Sequence, residues 1–256
     1  MEVINLPFSY FVLTTIGAHG PLVAALVMTG KLEGWAGIKS LFKSGFKLRI
    51  PLKWWLIILI LPALLSGLAL WVNVSLNNFQ FDKSLLTQPW MIPIMYFMIF
   101  FIGGSFQEEF GWRGFALPRL LEKWHPLTAS LILGAVWGVW HLPLFFIPDT
   151  GQYFMPLGVF LILVEAFTVL MTWAYLRTGR SLFSALLFHT SINTMLSVFP
   201  PIEKIAGGNQ MGFTYLTIAY VVAALVVIVK ERPLFTKLPS DVPSAFILGR
   251  NPHESK

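Results

Sequence analysis

Two adjacent glutamates and an arginine interrupt an apolar run in the stretch GGSFQEEFGWRG, residues 103–114. On a helix, adjacent residues point about 100° apart whereas residues four apart share a face, so Glu109 can pair with Arg113 while Glu108 faces elsewhere. An ionisable residue in an apolar span is costly and marks a functional hypothesis. We therefore predict that Glu109 and Arg113 hold the helix in place and that Glu108 is catalytic. The alternative is a structural ion-pair cluster that only fixes helix packing.

Two further polar pairs occur at helical spacing in apolar segments. Trp137 and His141 are four apart in AVWGVWHLP, and His189 and Asn193 are four apart in LLFHTSINT. Each histidine alone is more typical of a packed core or of interhelical hydrogen bonding. Together with one free glutamate, however, two imidazoles and an amide can activate water: the carboxylate accepts a proton, one histidine orients the water, and His with Asn donates to an oxyanion.

Other hydrolytic designs lack their residues in this sequence. It has no HExxH for a zinc-protease helix and no GxSxG for a serine nucleophile. No Asp falls in an apolar segment, which excludes an aspartyl dyad, and the absence of Cys excludes thiol catalysis and cysteine metal sites.

The elements that must position these residues are membrane helices. Of 256 residues, 56% are hydrophobic and only 12% are charged, about half the charged fraction of a soluble domain. Runs of about 17–25 apolar residues are long enough to cross a bilayer as helices. The sequence contains such runs near 7–30, 54–73, 90–107, 128–147, 154–176, 181–199 and 212–230. We predict an all-α polytopic membrane protein with about seven transmembrane helices.

The basic residues predict the orientation. All of the 18 Lys and Arg residues except Lys83 and Lys204 fall in alternate loops and the tail, and an excess of basic residues marks the cytoplasmic side. We predict the N-terminus outside and the C-terminus in the cytoplasm. A net charge of +6 distributed between apolar segments does not indicate a nucleic-acid partner.

The remaining segments complete the predicted organisation. In residues 33–50, apolar residues and lysines recur at helical spacing, which predicts an amphipathic helix at the anionic membrane surface; a basic loop that only sets topology is the alternative. We predict a single transmembrane domain over 1–230, with a catalytic core at 90–200, and a disordered cytoplasmic tail over 231–256.

The three motifs resemble the signature of the CAAX protease and bacteriocin-processing family of intramembrane endopeptidases, which includes type II CAAX prenyl endopeptidase-like and Abi-like proteins. The family's EExxxR, aromatic-xxx-His and His-xxx-Asn/Asp motifs are matched, in that order, by Glu108, Glu109 and Arg113, by Trp137 and His141, and by His189 and Asn193. Phe is the commoner residue where this chain has Trp137. The stretches 114–120 and 175–189 are also similar to bacterial members.

The resemblance implies a helical membrane fold that cleaves peptide bonds in membrane-associated substrates. It implies Glu108 as the base, His141 as its partner in activating water, and His189 with Asn193 as the oxyanion-stabilising pair. Family members have been described as metalloproteases, and Glu108, His141 and His189 are a possible zinc set. We expect metal-independent chemistry, with no cofactor, because Asn is a poor zinc ligand.

The expected partners are membrane lipids and a membrane-associated peptide or protein, lipidated and CAAX-like or bacteriocin-related, in the bacterial inner membrane. Two alternatives belong to other classes: a non-catalytic immunity or scaffold protein that binds a bacteriocin or a signalling partner, and a small transporter, which predicts internal repeats that the sequence lacks. His19 and Glu165, also in apolar runs, have no assigned role; a structural one is the simpler interpretation.

Overall fold

The computed structural model describes residues 16–148, 150–203 and 208–238, and in these ranges the chain is helical without a strand. The α-helices are α1 Gly20–Gly45, α2 Leu52–Asn77, α3 Ser84–Thr87, α4 Met91–Phe101, α5 Ser105–Gly111, α6 Leu117–Leu120, α7 Pro126–Trp140, α8 Leu157–Arg177, α9 Leu182–Val198, α10 Met211–Lys230 and α11 Arg232–Thr236. A π-helical turn, Trp112–Ala116, joins α5 to α6, and 3₁₀ turns occupy Leu142–Phe146 and Gln152–Phe154.

Four helical stretches are long and apolar enough to cross a membrane: Leu52–Asn77, Pro126–Phe146, Leu157–Arg177 and Met211–Lys230. A fifth candidate is α4 followed by Ser105–Leu120, a pair bent by 41°. These five correspond to the predicted spans near 54–73, 128–147, 154–176, 212–230 and 90–107. The total of seven transmembrane helices and the orientation of the termini stay predictions. Part of the first predicted span lies outside the described residues.

The predicted span near 181–199 is a shorter helix at the centre of the bundle. Helix α9 has 17 residues, and all of them are buried or half-buried except Ser197. It packs against α2, α4, α5 and α8. Its Thr190 and Ser191 hydroxyls donate to the carbonyls four residues earlier, which satisfies them inside the helix. The helix that carries His189 and Asn193 is therefore enclosed by other helices.

Helix α1 is kinked, and the kink separates the first predicted span from the predicted surface helix. Gly34 has φ 65° and ψ −163°, a conformation that residues with a Cβ rarely adopt. The helix after this kink ends at Gly45 rather than near residue 50. One side of it packs on α5, where the Phe42 and Phe110 rings lie 5.3 Å apart, while Trp35 is exposed.

The tail predicted to be disordered from residue 231 is ordered over its first part. Helix α11 buries Leu234 and Phe235, and the Glu231 carboxylate bonds to the Arg177 guanidinium. Two large apolar side chains and one ion pair thus dock residues 231–236, a stabilisation that composition alone did not reveal. Residues 239–256 lie outside the described residues.

Candidate active site

Glu108 lies in the first turn of α5, directly after the bend between α4 and α5. Gly104 caps this helix with φ 99°, and a Cβ added there would lie 2.7 Å from Glu108 Oε1. The second carboxylate oxygen, Oε2, accepts a hydrogen bond of 2.7 Å from the indole Nε1 of Trp137 on α7. Glu108 is buried. One of its carboxylate oxygens is held by a directed donor, and the other lies close to Gly104.

Glu109 faces the other way and binds two cationic or ionisable partners. Its Oε1 accepts from Arg113 Nη1 at 2.8 Å, which is the pairing that the four-residue spacing predicts. The same oxygen lies 2.8 Å from His189 Nδ1 on α9. Because a carboxylate accepts, His189 Nδ1 carries the hydrogen in this contact. Glu109 thus connects the arginine of its own helix to the histidine of the third motif.

Trp137 is in contact with Glu108, Arg113 and both histidines of the site. Arg113 lies over the Trp137 ring at 4.6 Å, and the rings of His141 and His189 meet it edge-on at 5.7 and 5.4 Å. The ring face stabilises the guanidinium, while the ring nitrogen donates to Glu108. One side chain therefore fixes the spacing between the first glutamate, the arginine and the two histidines.

His141 follows the last residue of α7, where Pro143 prevents a regular helix from continuing. Its Nδ1 lies 2.8 Å from the carbonyl oxygen of Trp137, which can only accept, so Nδ1 carries the hydrogen. In the neutral ring, the lone pair is then on Nε2. The ring is also packed edge-on against Phe160 at 5.3 Å.

These side chains converge on one cavity of about 680 Å³. Its wall includes the four residues predicted to be catalytic, Glu108, His141, His189 and Asn193. They come from α5, from the end of α7 and from α9. The rest of the wall is mostly apolar and is formed by residues such as Ile102, Leu144, Met155, Phe160 and Leu163. A small set of polar groups thus faces an apolar chamber, the usual composition of a ligand site.

Sequence reasoning missed two contacts of this site. It left Glu108 without a partner on its own helix, but the partner is the Trp137 indole of another helix. It paired Glu109 with Arg113 and did not find the bond to His189. Both bonds cross between helices, so helical spacing carries no signal for them. The Trp in place of the commoner Phe was the one sign of an added donor.

His19 and Glu165 are not among the residues that line the cavity, although Gly17 and Ala18, next to His19, are. The Glu165 carboxylate lies against α7, where a Cβ added at Gly134 would be 2.3 Å from Oε2. That oxygen is buried and has no hydrogen-bond partner among the described residues. No catalytic role is assigned to either residue.

The possible zinc set can be tested against the side-chain positions. Within the described ranges, no three His, Cys, Asp or Glu side chains are grouped as the ligands of a metal ion. Glu108, His141 and His189 line one cavity, and the Nδ1 atoms of the two histidines are bonded to a carbonyl and a carboxylate oxygen, so Nε2 is the ring nitrogen left for another partner. Metal independence stays a prediction.

Comparison with known proteins agrees with the motifs. The family model described as type II CAAX prenyl endopeptidase Rce1-like matches residues 88–195, a range that contains all the residues of the three motifs. The chain is 24% identical over 244 residues to CAAX prenyl protease 2 of Methanococcus maripaludis. The alignment covers 90% of this chain and 85% of that protein. The resemblance to the CAAX protease family is confirmed.

Proposed function

We propose that this chain, similar to Rce1-like CAAX endopeptidases, is an intramembrane endopeptidase that hydrolyses a peptide bond in a membrane-associated substrate. The observation that carries the proposal is the convergence of Glu108, His141, His189 and Asn193 on one mainly apolar cavity. Similarity to a protease family supports the reaction class.

Glu108 would act as the general base. The Trp137 N–H holds Oε2, so Oε1 is the oxygen left to accept a proton from water. The water oxygen then bonds to the peptide carbonyl carbon while the carbonyl electrons move to its oxygen. When the tetrahedral intermediate collapses, the C–N bond breaks and the proton held by Glu108 passes to the leaving nitrogen.

His141 would orient the attacking water. Its Nδ1–H is engaged with the Trp137 carbonyl, so in the neutral ring Nε2 is an acceptor for the second hydrogen of the water. Acceptors on Glu108 and His141 would together define where the water sits, and positioning of this kind contributes to the rate.

His189 and Asn193 would stabilise the oxyanion. Asn193 can donate through its amide, and His189 can donate through Nε2 when the ring is protonated on both nitrogens. The Glu109 carboxylate accepts from Nδ1 and so fixes the orientation of the ring, which makes Glu109 a positioning residue that acts through His189. Arg113 in turn would keep Glu109 in place.

The cavity and the relative support a proposal for the substrate class. A chamber of about 680 Å³ with mainly apolar walls can accept an apolar chain beside a peptide bond. The similar protein of Methanococcus maripaludis is a CAAX prenyl protease, so a lipidated, CAAX-like substrate is our first choice. A bacteriocin-related peptide is the second.

Chelation tests whether metal takes part. The purified protein, freed of metal by a chelator and checked by elemental analysis, should keep its activity because carboxylate, imidazole and amide groups suffice for the proposed steps. Loss of activity on chelation, with restoration by stoichiometric zinc, would show that a metal ion is needed.

A comparison in cells tests the proposed function without requiring that the substrate be known. Membrane peptides are compared between cells that carry the wild type and cells that carry Glu108→Gln, with Glu122→Gln as a control outside the cavity. We expect uncleaved precursors to accumulate only with Glu108→Gln. If cells with Glu108→Gln contain the same membrane peptides as cells with the wild type and keep the same biological function, the protein is a scaffold or an immunity protein instead.

A further inference from the structure

A second, polar cavity of about 220 Å³ lies beside the Glu109–Arg113 pair. Its wall is formed by the two segments of α1, by the π-helical turn and α6, and by the α8–α9 connection. Three arginines line it, Arg113, Arg119 and Arg180, together with the carboxylate of Glu33. This cavity shares no lining residue with the apolar cavity that holds the predicted catalytic residues.

Arg113, one of the residues that line this cavity, has side-chain donors that no described residue accepts from. It is fully buried, and only its Nη1 bonds to Glu109. Nε and Nη2 have no hydrogen-bond partner within the described residues. Buried N–H groups of a charged side chain are normally satisfied by an acceptor. An acceptor added beside Arg113 would pair these donors.

The other two arginines add positive charge at the same place. Arg180 is exposed and has φ 59°, an uncommon conformation for a residue with a side chain, and its backbone N–H bonds to the Tyr175 carbonyl. Arg119 reaches Glu33 at 2.6 Å, and both of these side chains are partly exposed. With Glu109 shared by Arg113 and His189, cations outnumber carboxylates around the cavity.

We propose that this second cavity binds a phosphate group, supplied either by the headgroup of an anionic phospholipid or by free phosphate. Guanidinium groups match the geometry of phosphate oxygens, and each offers several donors in one plane. The proposed orientation puts all three arginines on the cytoplasmic side, where anionic headgroups are abundant. Phosphate binding does not depend on whether the chain hydrolyses peptide bonds.

The binding is tested on the whole protein in lipid-depleted detergent, from the midpoint of thermal unfolding. The two probes are inorganic phosphate, compared with chloride at equal ionic strength, and phosphatidylglycerol, compared with diacylglycerol that lacks the phosphate. A ligand that binds the folded protein raises the midpoint by mass action. Stabilisation by phosphatidylglycerol alone identifies the headgroup, and stabilisation by inorganic phosphate as well identifies free phosphate as sufficient.

Two variants should change the affinity in opposite directions. Arg180→Asn, which tolerates the left-handed backbone, should weaken binding about three- to tenfold because one charge-assisted contact is lost. Glu33→Gln should tighten binding about twofold or more because it removes a competing carboxylate and frees Arg119. Arg232→Gln, an exposed arginine outside this cavity, is the matched control and should bind like the wild type.

Two outcomes would overturn phosphate binding at this cavity. One is that neither probe raises the unfolding midpoint of the wild type. The other is that Arg180→Asn and Arg232→Gln bind the effective probe equally well, since phosphate would then bind elsewhere.

Discussion

Replacing Glu109 by Gln removes one charge from a pair that has no contact with solvent. Arg113 and Glu109 are both 0% exposed, so bulk solvent does not reach the arginine to solvate it once its partner is neutral. Removing one member of a buried ion pair costs about 3–5 kcal/mol because an uncompensated charge is left behind. We therefore expect Glu109→Gln to destabilise the protein by about this amount.

The neighbouring substitution Glu108→Gln is the matched control. Gln at 108 keeps an oxygen that can accept from the Trp137 Nε1. The buried Arg113 forms its ion pair with Glu109 and not with Glu108, so this substitution leaves that pair intact. We expect it to cost about 1 kcal/mol or less. The assay is denaturant unfolding of the purified proteins in detergent, followed by circular dichroism, with membrane accumulation as the first readout. Equal stabilities for Glu108→Gln and Glu109→Gln would refute the assignment of different roles to the two glutamates.

A double variant checks the physical cause. In Glu109→Gln/Arg113→Gln both charges of the pair are gone, so no unpaired charge stays buried. The double variant should therefore be more stable than the sum of the two single effects predicts, by about 1 kcal/mol or more. Strict additivity would mean that the two side chains contribute independently, and that the loss in Glu109→Gln has another origin.

Two further substitutions act on Glu108 through its neighbours. Gly104→Ala should destabilise the protein by about 1–3 kcal/mol and lower kcat at least tenfold. The reasons are that φ is 99° at this position and that the new Cβ would lie 2.7 Å from Glu108 Oε1. Gly158→Ala, where the new Cβ meets open space, is the control and should change neither stability nor kinetics. Trp137→Phe keeps a ring beside both histidines but removes the N–H that donates to Glu108, so kcat should fall about tenfold with KM little changed. An unchanged kcat in Trp137→Phe would show that the indole N–H does not position the carboxylate.

Local spacing was sufficient to predict the contacts that lie within one helix. The pairing of Glu109 with Arg113 follows from the four-residue repeat, and the end of α7 next to His141 follows from Pro143. The long helices α2, α8 and α10 follow from runs of apolar residues. In each case, the signal and the contact lie within the same short stretch of sequence.

Contacts between helices were beyond this reasoning. The Glu109–His189 bond joins residues 80 apart, and the Trp137–Glu108 bond joins residues 29 apart. Hydropathy also cannot tell a lipid-facing helix from one enclosed by other helices, and α9 is the enclosed kind. The bend before α5 depends on the φ of Gly104, which two consecutive glycines permit but do not require.

The most direct test of the proposed function is cleavage of a lipidated, CAAX-type peptide by purified wild-type protein and by Glu108→Gln. The variant must first be shown to be fully folded under the assay conditions, so that a loss of cleavage reports on chemistry. We predict that Glu108→Gln loses at least about 100-fold in kcat, the contribution of a general base, while it still binds the peptide. Cleavage by Glu108→Gln at the wild-type rate would contradict the assignment of Glu108 as the base.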